Sequence, residues 1–156
     1  MTVVVDASVL AAAVADLGTD GAWSEAAIAE ATREGRALAG PQIALAEASN
    51  VLRRLELAER LETSEVNLAR RDLLTLDIEP FPFEPLADRV WELRHNLSIY
   101  DGWYVALAEA LSCPLLTLDR RLARAPGPAC RIITPPGPET SAPSRVHSEV
   151  PHDANS

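Results

Sequence analysis

Four acidic residues stand at the edges of apolar segments: Asp6 after Val3-Val4-Val5, Glu47 in a helical stretch, Asp101 at the opening of a helix, and Asp119 after Leu115-Leu116-Thr117-Leu118. Acids just past two strand-like runs can meet although most of the chain lies between them, because the carboxyl ends of strands in an α/β sheet form the crevice where ligands bind. A carboxylate set with no His or Cys beside it suits a hard divalent ion, Mg²⁺ or Mn²⁺, better than Zn²⁺. Without a cation, four such charges would raise one another's pKa. With one, a retained water can become the nucleophile of a phosphodiester displacement, and either a single ion or two ions about 3.5 to 4 Å apart would serve. Taken singly, Asp6, Asp101 and Asp119 each read first as an N-cap of the helical stretch they precede. Glu47 has no such reading in mid-helix. An unpaired buried carboxylate there is costly, so it needs a cation, a partner or a raised pKa.

The elements that must position these acids alternate along the chain. Residues 2–5 are a β-branched run suited to a strand buried on both faces. A helix over about 7–16 follows, then punctuation by Gly18 and Gly21, and an amphipathic helix over 23–34 that ends at Gly35. Residues 37–39 are a weak strand candidate before Gly40-Pro41. Over about 42–61, Ile43, Glu47, Val51 and Leu55 recur four apart, which puts Glu47 on the apolar face of a helix. Another helix opens at Thr63 and runs to about Leu76, and the two prolines in 78–83 restrict that run to a short or edge strand. Residues 84–96 read as a helix, and Asp101 starts the next, with Trp103, Leu107, Ala110 and Leu111 available to the core. The last elements are a strand at 115–118, a short helical piece at 120–125 and a strand at 131–134. Strands separated by helices predict an α/β fold with a mostly parallel sheet and helices on both faces.

At 156 residues the chain has room for one core of ordinary size. The organisation expected is a single domain over 1–134. A Pro/Ser/His/Glu-rich tail over 135–156 lacks apolar periodicity and is expected to be disordered. His147 and His152 of that tail have no third ligand nearby, so no metal role is assigned to them. No apolar run approaches the roughly 20 residues of a membrane span, and the N-terminus has no basic region before an apolar stretch, so a soluble cytoplasmic protein is expected. Cys113 and Cys130 belong to no ligand cluster and read as small core residues. The net charge of −9 opposes nonspecific attraction to nucleic acid. Yet all 14 basic residues are arginine, and pairs recur at Arg53-Arg54, Arg70-Arg71 and Arg120-Arg121. Such pairs can bind phosphate bidentately, although solvated helix faces explain them too, and for Arg70-Arg71 that is the preferred reading.

Four segments carry a resemblance: Val4-Val5-Asp6-Ala7-Ser8, Glu47-Ala48-Ser49-Asn50-Val51-Leu52-Arg53-Arg54, the run from Tyr100-Asp101-Gly102-Trp103 to Glu109, and Leu116-Thr117-Leu118-Asp119-Arg120-Arg121-Leu122. In this order they resemble the motifs of PIN-domain ribonucleases, and more narrowly the VapC toxins of bacterial toxin–antitoxin pairs, over about 2–134. The resemblance implies a PIN-like three-layer α/β/α sandwich around a mostly parallel sheet. It also implies Mg²⁺- or Mn²⁺-dependent endonucleolytic cleavage of RNA through a metal-activated water, a cognate antitoxin protein as inhibitor, and a homodimer. By motif position Asp6, Glu47, Asp101 and Asp119 carry over as the acidic metal site. Ser8 and Thr117 match hydroxyl positions beside the acids, and Asn50, three residues after Glu47, could orient a ligand likewise; local capping or a supporting bond accounts for these three equally well. Arg53, Arg54, Arg120 and Arg121 are the candidates for gripping RNA phosphates. Gly102 stands where alanine is commoner, a mild departure.

Competing architectures that cluster acids at strand ends fit less well. A phosphotransfer receiver domain relies on a lysine, which this chain lacks, and a haloacid-dehalogenase-like phosphatase needs an aspartate where Ser8 stands. The alternative from a different class is a non-catalytic PIN-fold module that binds antitoxin or RNA without cutting.

Overall fold

The computed structural model describes residues 1–137. Val3, Val4 and Val5 are fully buried in β1 (Thr2–Val5), which is what a β-branched run covered on both faces requires. The other strands are β2 (Ala37–Pro41), β3 (Ile78–Phe81), β4 (Leu115–Leu116) and β5 (Ile132–Ile133). They form one sheet in the order β3-β2-β1-β4-β5 with every pairing parallel. The helices are α1 (Ala7–Val14), α2 (Gly18–Arg33), α3 (Ala44–Leu57), α4 (Thr63–Leu73), α5 (Ala87–Glu92) and α6 (Ile99–Ala110).

The strand order fixes the layers. From β1 the chain steps outward through β2 to β3, then crosses back to lay β4 on the other side of β1. Right-handed crossovers therefore put α1 to α4 on one face and α5 and α6 on the other. The packing agrees: α1 lies against α2, α3 and α4, whereas α6 lies against α5 and against β1, β2 and β4. This is the expected α/β sandwich. The direction of winding reverses between β1 and β4, and at such a switch point the loops leave a crevice at the carboxyl ends of the strands. Asp6 and Asp119 are the acids that follow those two strands.

Several boundaries differ from the sequence reading, each for a local reason. The second helix starts at Gly18 rather than near Trp23, and Gly21 lies inside it. A Cβ on Gly21 would come within 3.1 Å of the Ala15 carbonyl and 3.2 Å of the Ala12 carbonyl, so glycine there serves the close approach of α1 and α2 instead of ending a helix. The stretch 84–96 is not one helix: 3-10 turns at Glu84–Leu86 and Leu93–His95 flank the short α5, with Pro85 in the first turn. Helix α6 begins at Ile99, because Ser98 caps it by accepting the Asp101 N–H at 3.1 Å. Its seven residues from Gly102 to Ala108 are buried without a break, as a helix sandwiched between sheet and α5 must be, whereas Ala110 is exposed rather than in the core. Trp103 packs in a satellite cluster with Val90 and Ala106, its ring edge-on to Phe83.

Among the described residues no helix is long and apolar enough to cross a membrane. Cys113 and Cys130 are half-buried at the core's margin rather than inside it. The expected disordered tail falls, from residue 138 onward, outside the described residues.

Candidate active site

Asp6 leaves β1 and stands at the N-cap position of α1, but its side chain makes no cap hydrogen bond. Two hydroxyls claim it instead. Ser8 Oγ and Thr117 Oγ1 each donate to Asp6 Oδ2 at 2.7 Å. Both hydroxyls are also acceptors, Ser8 from the Leu118 N–H at 3.2 Å and Thr117 from the Asp119 N–H at 3.1 Å. With the backbone supplying those donors, each hydroxyl hydrogen is left to point at Asp6, so the network fixes the carboxyl in one orientation. The Thr117 N–H still donates to the Ile133 carbonyl at 3.0 Å, and the strand expected over 115–118 stops short of Leu118, whose N–H turns to Ser8.

Glu47 lies in the first turn of α3, not in mid-helix, because that helix starts at Ala44. The buried positions of α3 are Ala44, Ala48, Leu52 and Leu55, so Glu47 borders the apolar face and is half-buried. Tyr104, almost fully buried in α6, donates its hydroxyl to Glu47 Oε1 at 2.9 Å. The sequence reading gave Tyr104 no role. Its signal was spacing: three residues beyond Asp101, it shares that residue's helix face.

Asp101 sits in the first turn of α6, and Asp119 follows β4. Asp119 is engaged by its neighbour Arg121, whose backbone N–H donates to Oδ1 at 2.9 Å while Nε and Nη2 reach Oδ1 and Oδ2 at 3.1 and 3.0 Å. Asp101, Asp119 and Arg121 share the wall of a cavity of about 280 Å³ with Ser98 and Asn96.

Electrostatics link the four acids. Burial pushes the Asp6 carboxyl above its ordinary range, and the hydroxyl bonds from Ser8 and Thr117 work against that, while Asp119 adds to it. Glu47 is raised by burial and further by Asp6 and Asp101. Asp101 is raised by burial, then by Asp6 and Asp119. Asp119 alone is lowered, chiefly by Arg121. Each of the four acids therefore stands in the field of at least one other, and one guanidinium is bonded to Asp119. The oxygen-only donor set and the uncompensated repulsion fit a hard divalent cation. Among the described residues, no group of three or more His, Cys, Asp or Glu stands close enough to hold an ion in the present arrangement.

The remaining candidates divide. Ser8 and Thr117 bond Asp6 directly. Asn50 is exposed on α3, and no hydrogen bond joins it to the acids among the described residues. Arg53 and Arg54 are exposed on the same helix. Arg120 is half-buried and donates to the Pro136 carbonyl at 3.1 Å, so it is turned toward the chain's own C-terminal segment. Arg121 is spent on Asp119.

A family model described as PIN domain matches residues 3–128. Ribonuclease VapC9 of Mycobacterium tuberculosis is 39% identical over 134 residues, which span 86% of this chain and 98% of the relative. Among solved structures, PAE2754 from Pyrobaculum aerophilum superposes with a TM-score of 0.62 at 22% identity, over 85% of this chain and 83% of that one. VapBC2 from Rickettsia felis, bound to a DNA fragment from its promoter, gives a TM-score of 0.58 at 16% identity over 86% and 98%. The two structures bear on the fold, whereas the family model runs through all four acid-bearing segments and VapC9 is matched over nearly its whole length: the chain belongs to the PIN-domain family of VapC ribonucleases.

Proposed function

We propose that the chain is the toxin of a toxin–antitoxin pair, an endoribonuclease that hydrolyses RNA phosphodiester bonds with Mg²⁺ or Mn²⁺ held by Asp6, Glu47, Asp101 and Asp119. The observation that carries this reading is the buried Asp6 carboxyl, fixed by two hydroxyls and standing close enough to the other acids that Asp119 raises it and it raises Glu47 and Asp101. A fold stabilised without regard to function would have neutralised these charges, because like charges in a half-buried pocket oppose folding. Bound there, the ion would supply positive charge to the phosphodiester oxygens and acidify water for attack.

The chain's own groups prepare the rest. Ser8 and Thr117 keep one oxygen of Asp6 occupied, which leaves the remaining lone pairs of the carboxylate for a cation. Tyr104 does the same for Glu47. Arg53 and Arg54 offer guanidinium groups to the RNA backbone; for Arg121 that service requires release from Asp119. The negative pocket repels RNA until it is loaded, so metal and substrate should bind in that order. A cognate antitoxin is the expected inhibitor, and exposed Leu57, Leu68 and Leu74 on and just after α3 and α4 offer apolar surface for it or for a second copy of the chain.

The test is cleavage of total cellular RNA by purified, antitoxin-free protein with Mg²⁺, with Mn²⁺ and with EDTA, beside Asp6→Asn and Asp101→Asn. Fragments that require the metal and fall by at least about a hundredfold in both variants, with unchanged circular dichroism, are expected. Equal cleavage by wild type and either variant would remove that acid from the site. Metal binding by calorimetry with no cleavage of any RNA offered would return the non-catalytic module.

A further inference from the structure

The two cysteines lie at the end of the sheet opposite the acids, and the strand register brings them together. Leu115 pairs with Ile132 and Leu116 with Ile133 across β4 and β5. Two residues back along both chains, just before the two strands begin, the same register would set Cys113 opposite Cys130. Neighbouring parallel strands run about 4.8 Å apart, inside the roughly 4.4 to 6.8 Å that separates Cα atoms across a disulfide. Both residues line one cavity of about 420 Å³, with Glu109 and Ser112 beside them.

Both backbones are anchored to the end of the same helix. The Cys113 N–H donates to the Ala108 carbonyl at 3.0 Å. Glu109 Oε1 accepts the Ala129 N–H at 2.8 Å, and Arg89 holds the same carboxylate through Nε and Nη2 at 2.7 and 3.1 Å while reaching the Gly127 carbonyl at 2.9 Å. The Leu115 N–H closes the ladder on the Arg131 carbonyl at 2.9 Å. Two half-buried thiols on the wall of one cavity, each just before a paired strand and tied to the same helix, need little backbone movement to join.

We propose that Cys113 and Cys130 form a site of reversible oxidation, closing an intramolecular disulfide when a low-molecular-weight disulfide is supplied. The Cys113 thiolate attacks one sulfur of the reagent, its S–S bond breaks, and the released thiolate takes up a proton. The Cys130 thiol then loses its proton to solvent and displaces the second reagent thiolate from Cys113, so one protein disulfide and two small thiols result. Burial raises both protein thiols, and Glu109 adds to the effect at Cys130, which is pushed up to about 11. The exchange is therefore slow at neutral pH and faster in mild alkali. The bond closes the base of the loop that carries Asp119 and Arg121 and leaves the acids themselves untouched.

The test uses the reduced full-length chain incubated with oxidised glutathione at about pH 8, then denatured and alkylated. The expected product is a monomer lighter by two hydrogens with no alkylated cysteine. Its unreduced tryptic digest joins the peptide of residues 95–120 to that of residues 125–131. Dithiothreitol should restore two alkylatable thiols. Cys113→Ser and Cys130→Ser should each keep one cysteine, alkylated or carrying glutathione. Wild-type protein that keeps two alkylated thiols, carries glutathione on both, or runs as a covalent dimer would overturn the proposal.

Discussion

Asp6 takes two hydroxyl hydrogens on one oxygen, and each donor is itself held by a backbone N–H, so the orientation of the carboxylate depends on Ser8 and Thr117. Thr117→Val keeps the shape of a fully buried residue but removes the hydroxyl, leaving Asp6 one donor short and the Asp119 N–H unpaired. Loss of a group that orients a metal-holding carboxylate costs about 10- to 100-fold in affinity or activity. Cleavage by Thr117→Val should fall by that factor in a metal-saturated assay, and Thr117→Ser should recover most of it. If the valine variant cut at the wild-type rate, the Asp6 network would be packing alone. Tyr104→Phe removes the Glu47 bond and little else, and urea denaturation should record a loss of about 1 kcal/mol.

Helix α6 carries two of these groups, and how it is positioned shows what could and could not be read from the chain. Aspartate is a good N-cap, so Asp101 was the natural start; Ser98 is as good a cap three residues earlier, and local pattern cannot choose between them. Ser98→Ala should cost about 1 kcal/mol of stability by denaturant melting, and it should also weaken cleavage because Asp101 lies in the turn that frays. Strand β1 was legible from composition, since three successive valines admit few other places. The layer order was legible from alternation alone. Tyr104 on Glu47 and Arg121 on Asp119 were not, the first because 57 positions separate the partners and the second because a solvated arginine and a capping arginine look alike in sequence. Gly102 now has a cause as well: a Cβ there would stand 3.3 Å from Val90 Cγ1, so it lets α5 and α6 approach. Gly102→Ala should remain folded, because the methyl contact is soft and alanine favours a helix interior by about 1 kcal/mol over glycine. Gly102→Leu, with no room toward Val90, should lower the thermal midpoint sharply.

For the whole molecule, the four acids set a balance between stability and function that pH can expose. Asp6, Glu47 and Asp101 have carboxyls raised in the fold, by burial first and then by one another. A raised carboxyl favours the protonated fold: its contribution is fully present below the ordinary values of 3.8 and 4.5 and is lost as pH rises through the raised ones. Glu109, lowered through its bonds from Arg89, and Asp119, lowered by Arg121, act the other way. Burial on its own would raise both, but the guanidinium partners outweigh it. Their stability is present above the ordinary values and is lost as pH falls through the lowered ones. The metal-free protein should therefore gain thermal stability as pH falls from neutral toward the ordinary carboxylate values, then lose it as the two ion pairs are protonated. A divalent cation at about a hundred times its dissociation constant should add about 2.7 kcal/mol at neutral pH and flatten the acid-side rise, since it does for the pocket what protons do. In Asp6→Asn both the acid-side gain and the metal response should shrink together. Calorimetry across pH, with Mg²⁺ and with EDTA, measures all three. A midpoint that fell steadily from pH 7 to 5 in EDTA would show that the pocket holds no repulsion for a metal to relieve, and the cation would then need another site.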